Sequence, residues 1–148
     1  MFWNDGERYE GDWKNDIFEG KGIFYYNDGD RYKGDWKNDK YEGKGIFYCN
    51  VGDVYEADWK NDKRKRIYYY NNGDRYEGDW KNDEKKGKGI FYWNDRRYEG
   101  NWKNNKKEGK GIYYCNNVDR EMGNYLNDKP IEIFAIFYAN GFFDKRNY

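Results

Sequence analysis

Apolar and polar positions alternate along this chain with a period of two. Tyr9, Gly11 and Trp13 interleave with Glu10, Asp12 and Lys14, and Gly20, Gly22, Phe24 and Tyr26 interleave with Lys21, Ile23 and Tyr25. Side chains on a strand point alternately to its two faces, so both blocks predict β-strands. Between them lie, in turn, segments of the form Trp-Lys-Asn-Asp and of the form Asn-Asp-Gly-Asp. Their Asn, Asp and Gly residues supply the positive φ angles of tight hairpin turns.

The two blocks recur. YEGDWKND at Tyr9 returns as YKGDWKND at Tyr32, YEADWKND at Tyr55, YEGDWKND at Tyr76 and YEGNWKNN at Tyr98, at offsets of 23, 23, 21 and 22 residues. The second block reads GKGIFYYNDGDR, GKGIFYCNVGDV, GKGIFYWNDRR and GKGIYYCNNVDR in units one, two, four and five. A period between about 20 and 50 residues marks an array whose units bury their faces against their neighbours. The expected organisation is an amino-terminal half repeat (1–8), five repeats (9–31, 32–54, 55–75, 76–97, 98–120), and a degenerate sixth repeat with an apolar carboxy-terminal cap (121–148).

Turn parity decides which rows share a face. A three-residue loop with a Gly bulge at Asn-Asp-Gly-Asp joins the Tyr-x-Gly-x-Trp row to the Gly-x-Gly-x-Phe-x-Tyr row, whereas a two-residue turn joins it to the Ile and Tyr row. The first arrangement is expected, because it lets large rings lie across backbone at glycine. Unit three is shorter by two residues, which keeps the alternation in phase. Unit four has lost its turn Gly between Asn94 and Arg97 and needs a two-residue turn to keep Trp93 and Tyr98 on one face.

Composition narrows the function. Tyr (18), Phe (9) and Trp (7) dominate the apolar residues, so aromatic rings must do most of the packing. The chain has 38% charged residues but also 23% aromatics, which disordered chains lack. It contains no His, Ser, Thr or Gln. Hydroxyl nucleophiles, the commonest general base and the commonest zinc-binding nitrogen are therefore missing, and no catalytic, metal or cofactor site is expected. With a net charge of +0, nothing draws the whole molecule to nucleic acid. The amino terminus lacks the apolar core of a signal peptide and the two cysteines form no framework, so a cytoplasmic location is expected, in association with cytoskeleton or membrane.

Tyr-x-Gly-x-Trp, then Gly-x-Gly, then an aromatic strand closed by Asp-Gly: this succession resembles the MORN repeat, the "membrane occupation and recognition nexus" unit, over about five of six units. The resemblance implies an all-β fold, an elongated single-layer antiparallel sheet of tandem hairpins without catalytic residues. It also implies a scaffold at membranes, cilia or cytoskeleton, with acidic phospholipids as an alternative ligand. A third reading is the regulatory segment of a larger enzyme such as a phosphatidylinositol phosphate kinase. Unit three departs from the pattern: Ala57 replaces a Gly, and Arg64 and Arg66 stand at its Gly-x-Gly positions.

Three surfaces are candidates for partners. The basic run Lys63, Arg64, Lys65 and Arg66 is a candidate grip for a phosphoinositide on an anionic membrane or for an acidic partner segment. Ile23, Tyr25, Ile46, Tyr48, Ile67, Tyr69, Ile90, Tyr92, Ile112 and Tyr114 are expected to line the second face of the sheet as an apolar stripe flanked by charge, a surface for a protein partner or a second copy, with a lipid tail as the weaker alternative. Ile133, Phe134, Ile136, Phe137, Phe142 and Phe143 are apolar on both faces, and the run is expected to fold back over the last hairpins or to pair with a second chain as a homodimer contact. Glu10, Asp12 and Lys14, with their counterparts, are expected to form exposed cross-strand ion pairs.

Overall fold

A computed structural model describes residues 6–59, 64–115 and 119–145. The Asn-Asp dipeptides fold as the sequence predicts. Asn15 and Asp16 have φ of 51° and 61°, Asn38 and Asp39 50° and 61°, and Asn104 and Asn105 51° and 65°. Two consecutive positive φ angles make a two-residue turn whose twist matches that of the flanking strands, and Lys14 accordingly faces Ile17 across it.

At the other end of each hairpin the loop is odd-numbered. The Tyr26 amide donates to the Asp30 carbonyl at 3.0 Å and the Gly29 amide to the Tyr26 carbonyl at 3.2 Å, with Gly29 at φ 93°. This is the Gly-bulged loop, and it fixes the parity: Phe24 faces Tyr9 on one side and Tyr32 on the other. In the fourth unit, which lacks the Gly, Asn94 and Asp95 form a two-residue turn between paired Trp93 and Arg96, and Tyr98 still faces Phe91. Unit three also stays in phase, with Tyr55 opposite Tyr68 and Glu56 opposite Ile67.

These hairpins give an all-β chain, with no helix among the described residues. It forms two units, Met1–Asn72 and Gly73–Tyr148. The first holds β1 (Arg8–Lys14), β2 (Ile17–Tyr25), β3 (Arg31–Lys37), β4 (Lys40–Tyr48), β5 (Val54–Asp58) and β6 (Arg64–Tyr69). The second holds β7 (Arg75–Lys81), β8 (Glu84–Trp93), β9 (Arg96–Lys103), β10 (Lys106–Tyr114), β11 (Arg120–Leu126), β12 (Lys129–Phe137) and β13 (Phe143–Lys145). Within each unit every strand pairs antiparallel with its neighbours in the chain, giving one layer in sequence order.

A single layer has no second sheet to bury against, so its core is made along one face by rings lying flat on backbone. Tyr9, Tyr32, Tyr76 and Tyr98 are each 0% exposed. Tyr32 covers Gly34 and Gly45, where any Cβ would overlap its ring, and Tyr9 covers Gly11 and Gly22 in the same way. The Tyr9 hydroxyl then donates to the Asp12 carbonyl at 3.2 Å and that of Tyr32 to the Asp35 carbonyl at 3.3 Å. The first glycine of each Gly-x-Gly has a different task. Gly20, at φ 73°, turns the strand where β1 and β2 slip register between Gly11 and Trp13.

Asp12 closes that bulge by accepting the Lys21 amide at 3.0 Å, and Asp79 accepts the Lys88 amide at 3.3 Å. The expected cross-strand ion pairing thus does not describe Asp12, whose carboxylate is used on backbone. The salt bridges of Glu10 and Glu77 run along their own strands, to Arg8 at 3.2 Å and Arg75 at 3.0 Å, while Lys21 reaches across to Asp35 at 2.8 Å.

Successive hairpins are also laced at both margins. Asp39 accepts the Phe18 amide at 2.7 Å while its own amide donates to the Phe18 carbonyl at 3.3 Å. Asn105 repeats both bonds on Lys85, as does Asp128 on Lys107. On the opposite margin Asp30 accepts the Asn50 amide and Asp53 the Asn71 amide, both at 2.8 Å.

The apolar carboxy-terminal run does not fold back over the hairpins. It continues the layer as β12 and β13, with Ala135 and Ile136 buried, because its backbone finds ladder partners in β11 and in its own return strand. Ile133 and Phe137 are half-buried, while Phe142 and Phe143 remain 72% and 54% exposed. Phe134 lies in β12, but its side chain falls outside the described residues.

Candidate functional site

In the first unit the second residue after an Asn-Asp turn is opposite the Trp of the preceding strand: Trp13 faces Phe18 and Trp36 faces Tyr41. The parity of the bulge points these rings to the tyrosine side. Phe18 stacks on Tyr9 with centroids 3.9 Å apart, and Tyr41 on Tyr32 at 3.8 Å. Trp36 meets Tyr9, Phe18, Tyr32 and Tyr41 edge-on at 5.0 to 5.3 Å. Offset and edge-to-face contacts of this kind are the favoured geometry for rings.

Stacked rings leave a trough between them. In the first unit a solvent-open groove of about 570 Å³ is lined by Phe18, Phe24, Tyr26, Trp36, Tyr41 and Trp59, with Asp39 and Lys40 at its rim. The hydroxyls of Tyr26 and Tyr41 are hydrogen-bonded to each other across it. Burial pushes Tyr9 and Tyr26 up to about 12, with nearby carboxylates adding to the shift, and raises Tyr32 further. All three are neutral donors at physiological pH. The groove is therefore apolar in its walls, polar at its rim and uncharged in its floor.

The same positions in the second unit carry lysine. Trp80 faces Lys85 and Trp102 faces Lys107. The Lys85 ammonium lies 4.6 Å from the Phe91 centroid, 5.2 Å from Trp102 and 5.3 Å from Tyr76. That of Lys107 lies 5.0 Å from Tyr98 and 5.1 Å from Trp93, with Tyr113 and Tyr125 at 5.8 and 6.0 Å. Burial lowers the pKa of both amines, opposed for each by Asp128. The position varies between repeats, and its signal in the sequence is the change from Phe18 and Tyr41 to Lys85 and Lys107.

The expected apolar stripe on the other face is not continuous. Ile23 is flanked across the ladder by Glu10 and Lys33, Ile46 by Lys33 and Glu56, and Ile90 by Glu77 and Glu99. Ile67 likewise faces Glu56, and Ile112 faces Glu99. Neighbouring strands come from different blocks of the repeat, so each isoleucine row alternates with a charged row. The tyrosines are covered by guanidinium groups: Arg8 over Tyr25 at 3.9 Å, Arg31 over Tyr48 at 4.1 Å, Arg75 over Tyr92 at 4.2 Å and Arg97 over Tyr114 at 3.7 Å. Tyr69, which faces Val54, is 36% exposed. The face is a half-buried ladder of Arg, Tyr, Ile and Glu.

The basic run is divided. Arg66 is 5% exposed on the aromatic face, its guanidinium 5.2 Å from the Tyr55 ring and 5.6 Å from Trp59. It fills the place of the missing glycine platform, opposite Ala57, and is not presented to a membrane. Lys63 lies outside the described residues, as do the side chains of Arg64 and Lys65 in β6. Cys49 and Cys115 are half-buried free thiols whose pKa burial raises. Among the described residues no helix is long and apolar enough to cross a membrane.

Tandem antiparallel hairpins with a ring-on-glycine face define the class: a single-layer β-repeat protein. The MORN repeat matches residues 9–31, 32–54, 55–65, 76–96 and 98–119, and the chain belongs to that family. No curated protein matches it in sequence. A similar solved structure is that of the SAS-4 (dCPAP) TCP domain in complex with a proline-rich motif of Ana2 (dSTIL) of Drosophila melanogaster. It is 14% identical, with a TM-score of 0.62 over 93% of this chain and 75% of that one. The G-box domain of the microcephaly protein CPAP aligns over 100% of this chain and 97% of its own at 10% identity and a TM-score of 0.41. The first of these likenesses is one of fold.

Proposed function

We propose that this chain is a non-catalytic interaction scaffold, and that the aromatic groove of its first unit docks an extended, proline-rich segment of a partner protein. The observation that carries this is the open trough walled by Phe18, Phe24, Tyr26, Trp36, Tyr41 and Trp59. Proline-rich segments already hold an extended conformation, so they lose little entropy on binding, and their rings pack into aromatic-lined grooves. That the similar TCP domain was solved with a proline-rich motif supports the reading. Tyr26, Tyr41, Asp39 and Lys40 supply polar groups at the rim for the segment's backbone.

The test is a titration of the whole protein with blocked proline-rich peptides, followed by tryptophan fluorescence. Replacing Phe18 and Tyr41 by Ala is expected to weaken binding about tenfold or more, since truncating a central aromatic anchor costs ~1 to 2 kcal/mol or above. Binding unaffected by that double substitution sinks the proposal. So does binding only to phosphoinositide-containing vesicles, which would transfer the function to a lipid surface.

A further inference from the structure

On the face opposite the aromatic rings, one arginine lacks the acid that its counterparts in the other repeats have. Arg8, Arg31, Arg75 and Arg97 stand at the same place in four repeats, and each lays its guanidinium over a tyrosine of the following strand at 3.7 to 4.2 Å. Stacking uses the flat face of the group and leaves its in-plane N–H fork for an anion. In units one and four that fork is engaged. Glu10, two residues on from Arg8, lies 3.2 Å from its Nε, and Glu77, two on from Arg75, lies 3.0 Å from a terminal nitrogen. Unit five has Glu99 at the same offset, accepting the Tyr114 hydroxyl at 3.5 Å. Unit two has Lys33 there instead.

The replacement sets two cations side by side. Arg31 and Lys33 point to one face of β3, because they alternate with the buried Tyr32. Across the ladder Arg31 is flanked by Tyr25 and Tyr48, and Lys33 by Ile23 and Ile46. Among the described residues neither makes a salt bridge, and the Arg31 Nε has no hydrogen-bond acceptor. Glu10 and Glu56, the carboxylates in the Lys33 row, each stand two strands away, ~10 Å at the spacing of a sheet. Glu10 is held by Arg8 and by the Tyr25 hydroxyl, and Asp35, next along the face, is held by Lys21 at 2.8 Å. Arg31 is half-buried and Lys33 exposed.

We infer that Arg31 and Lys33 form a docking site for an acidic segment of a partner protein. One carboxylate of that segment takes on Arg31 the place that Glu10 has on Arg8 and Glu77 on Arg75, and a second meets Lys33. The chain itself displays the fit, since the same stacked guanidinium holds a carboxylate in two other repeats. Arg31 and Lys33 are two residues apart on one strand, ~6.6 Å, and an extended segment sends its residues i and i+2 to one side at that same spacing. A Glu-x-Glu stretch therefore meets both cations. A membrane is the poorer occupant. Anionic headgroups are held by clusters of roughly four to eight basic residues, whereas this site has Arg31 and Lys33 alone, with Glu10, Glu56 and Asp35 around them. The site lies on the other face from the aromatic groove and does not depend on that groove having an occupant.

The test uses the whole protein and two blocked, dye-labelled peptides, repeats of Glu-Thr and of Gln-Thr, followed by fluorescence anisotropy. The Glu peptide is expected to bind about tenfold more tightly than the Gln peptide, a preference that falls as salt is added. Lys33→Glu gives unit two the residue that units one, four and five carry, so the fold is kept while Arg31 gains a carboxylate of its own, and the preference is expected to vanish. Lys33→Arg keeps it. So does Lys129→Glu, which changes the net charge by the same amount at an exposed place in the second unit. Equal affinities for the two peptides, a preference that survives Lys33→Glu, or one lost just as fully in Lys129→Glu overturns the inference. Phosphatidylserine vesicles that bind through Lys33 while the Glu peptide does not bind overturn it as well.

Discussion

At the scale of single residues, the protein is held by rings that require glycine beneath them. Tyr32 occupies the space that a Cβ on Gly45 would need, and the ring is itself pinned by Phe47, Trp36 and the stacked Tyr41. Gly45→Ala is therefore expected to cost about 2 kcal/mol or more, by forcing a rigid ring off its platform, and a chemical denaturation curve measures it. Gly29→Ala tests a separate effect, since it is strained by φ of 93° and not by overlap. The tyrosines add a pH dependence. Burial raises Tyr9, Tyr26 and Tyr125 to about 12, above their unfolded value of 10.0. The folded chain then binds more protons than the unfolded one above pH ~10, so this contribution is complete below that pH and is lost as pH rises through about 12. Absorbance at the phenolate band is expected to show a class of tyrosines that ionises only as the protein unfolds. Simple titration of all of them near pH 10 in the folded state contradicts this.

At the scale of elements, each hairpin is completed by its neighbour. Asp39 belongs to the turn of the second repeat, yet its carboxylate satisfies an amide of the first, and its backbone amide returns a bond to the Phe18 carbonyl. Asp39→Ala removes the side-chain bond and also puts a residue with no αL tolerance at φ 61°. The two effects together are expected to cost ~2 kcal/mol, and Asp39→Asn, which keeps an acceptor and tolerates that φ, most of which is recovered. Thermal unfolding of the pair distinguishes them. If Asn proves as destabilising as Ala, the carboxylate charge and not the turn geometry is what matters. The short repeat of unit three belongs to this scale as well. With Ala57 in place of glycine, the Arg66 guanidinium fills the trough beside Tyr55 and Trp59, so a substitution that looks like surface drift is part of the core.

For the whole molecule, the carboxy-terminal strands finish the second unit. β12 covers the edge of β11, with Ala135 opposite Met122 and Ile136 opposite Glu121, and Tyr125 packs edge-on to Tyr98 at 4.9 Å. A chain ending at Asp128 leaves the edge of β11 open to other chains. We expect it to aggregate or to melt several degrees lower, as light scattering and circular dichroism would show. An unchanged mass in solution and an unchanged melting temperature show the last strands to be dispensable.

The sequence by itself determined the repeat, the strands, both kinds of turn and the face on which Tyr9, Phe24 and Trp36 gather. These are local matters: period two sets the strand, Asn-Asp and Gly set the turns, and the number of loop residues sets which side chains share a face. Only the tertiary structure decided what lies beside what across the ladder. It interleaved Ile23 with Glu10 and Lys33, so the apolar stripe became a mixed face, and it laid Arg31 over Tyr48. It drew Arg66 out of the basic run into the core, and it set Lys85 and Lys107 among rings. Lateral neighbours such as Ile23 and Lys33, or Arg31 and Tyr48, lie ten or more residues apart in the chain, and the bulge at Gly20 shifts the register between strands. No local pattern along one strand records which residue of the next strand stands beside it.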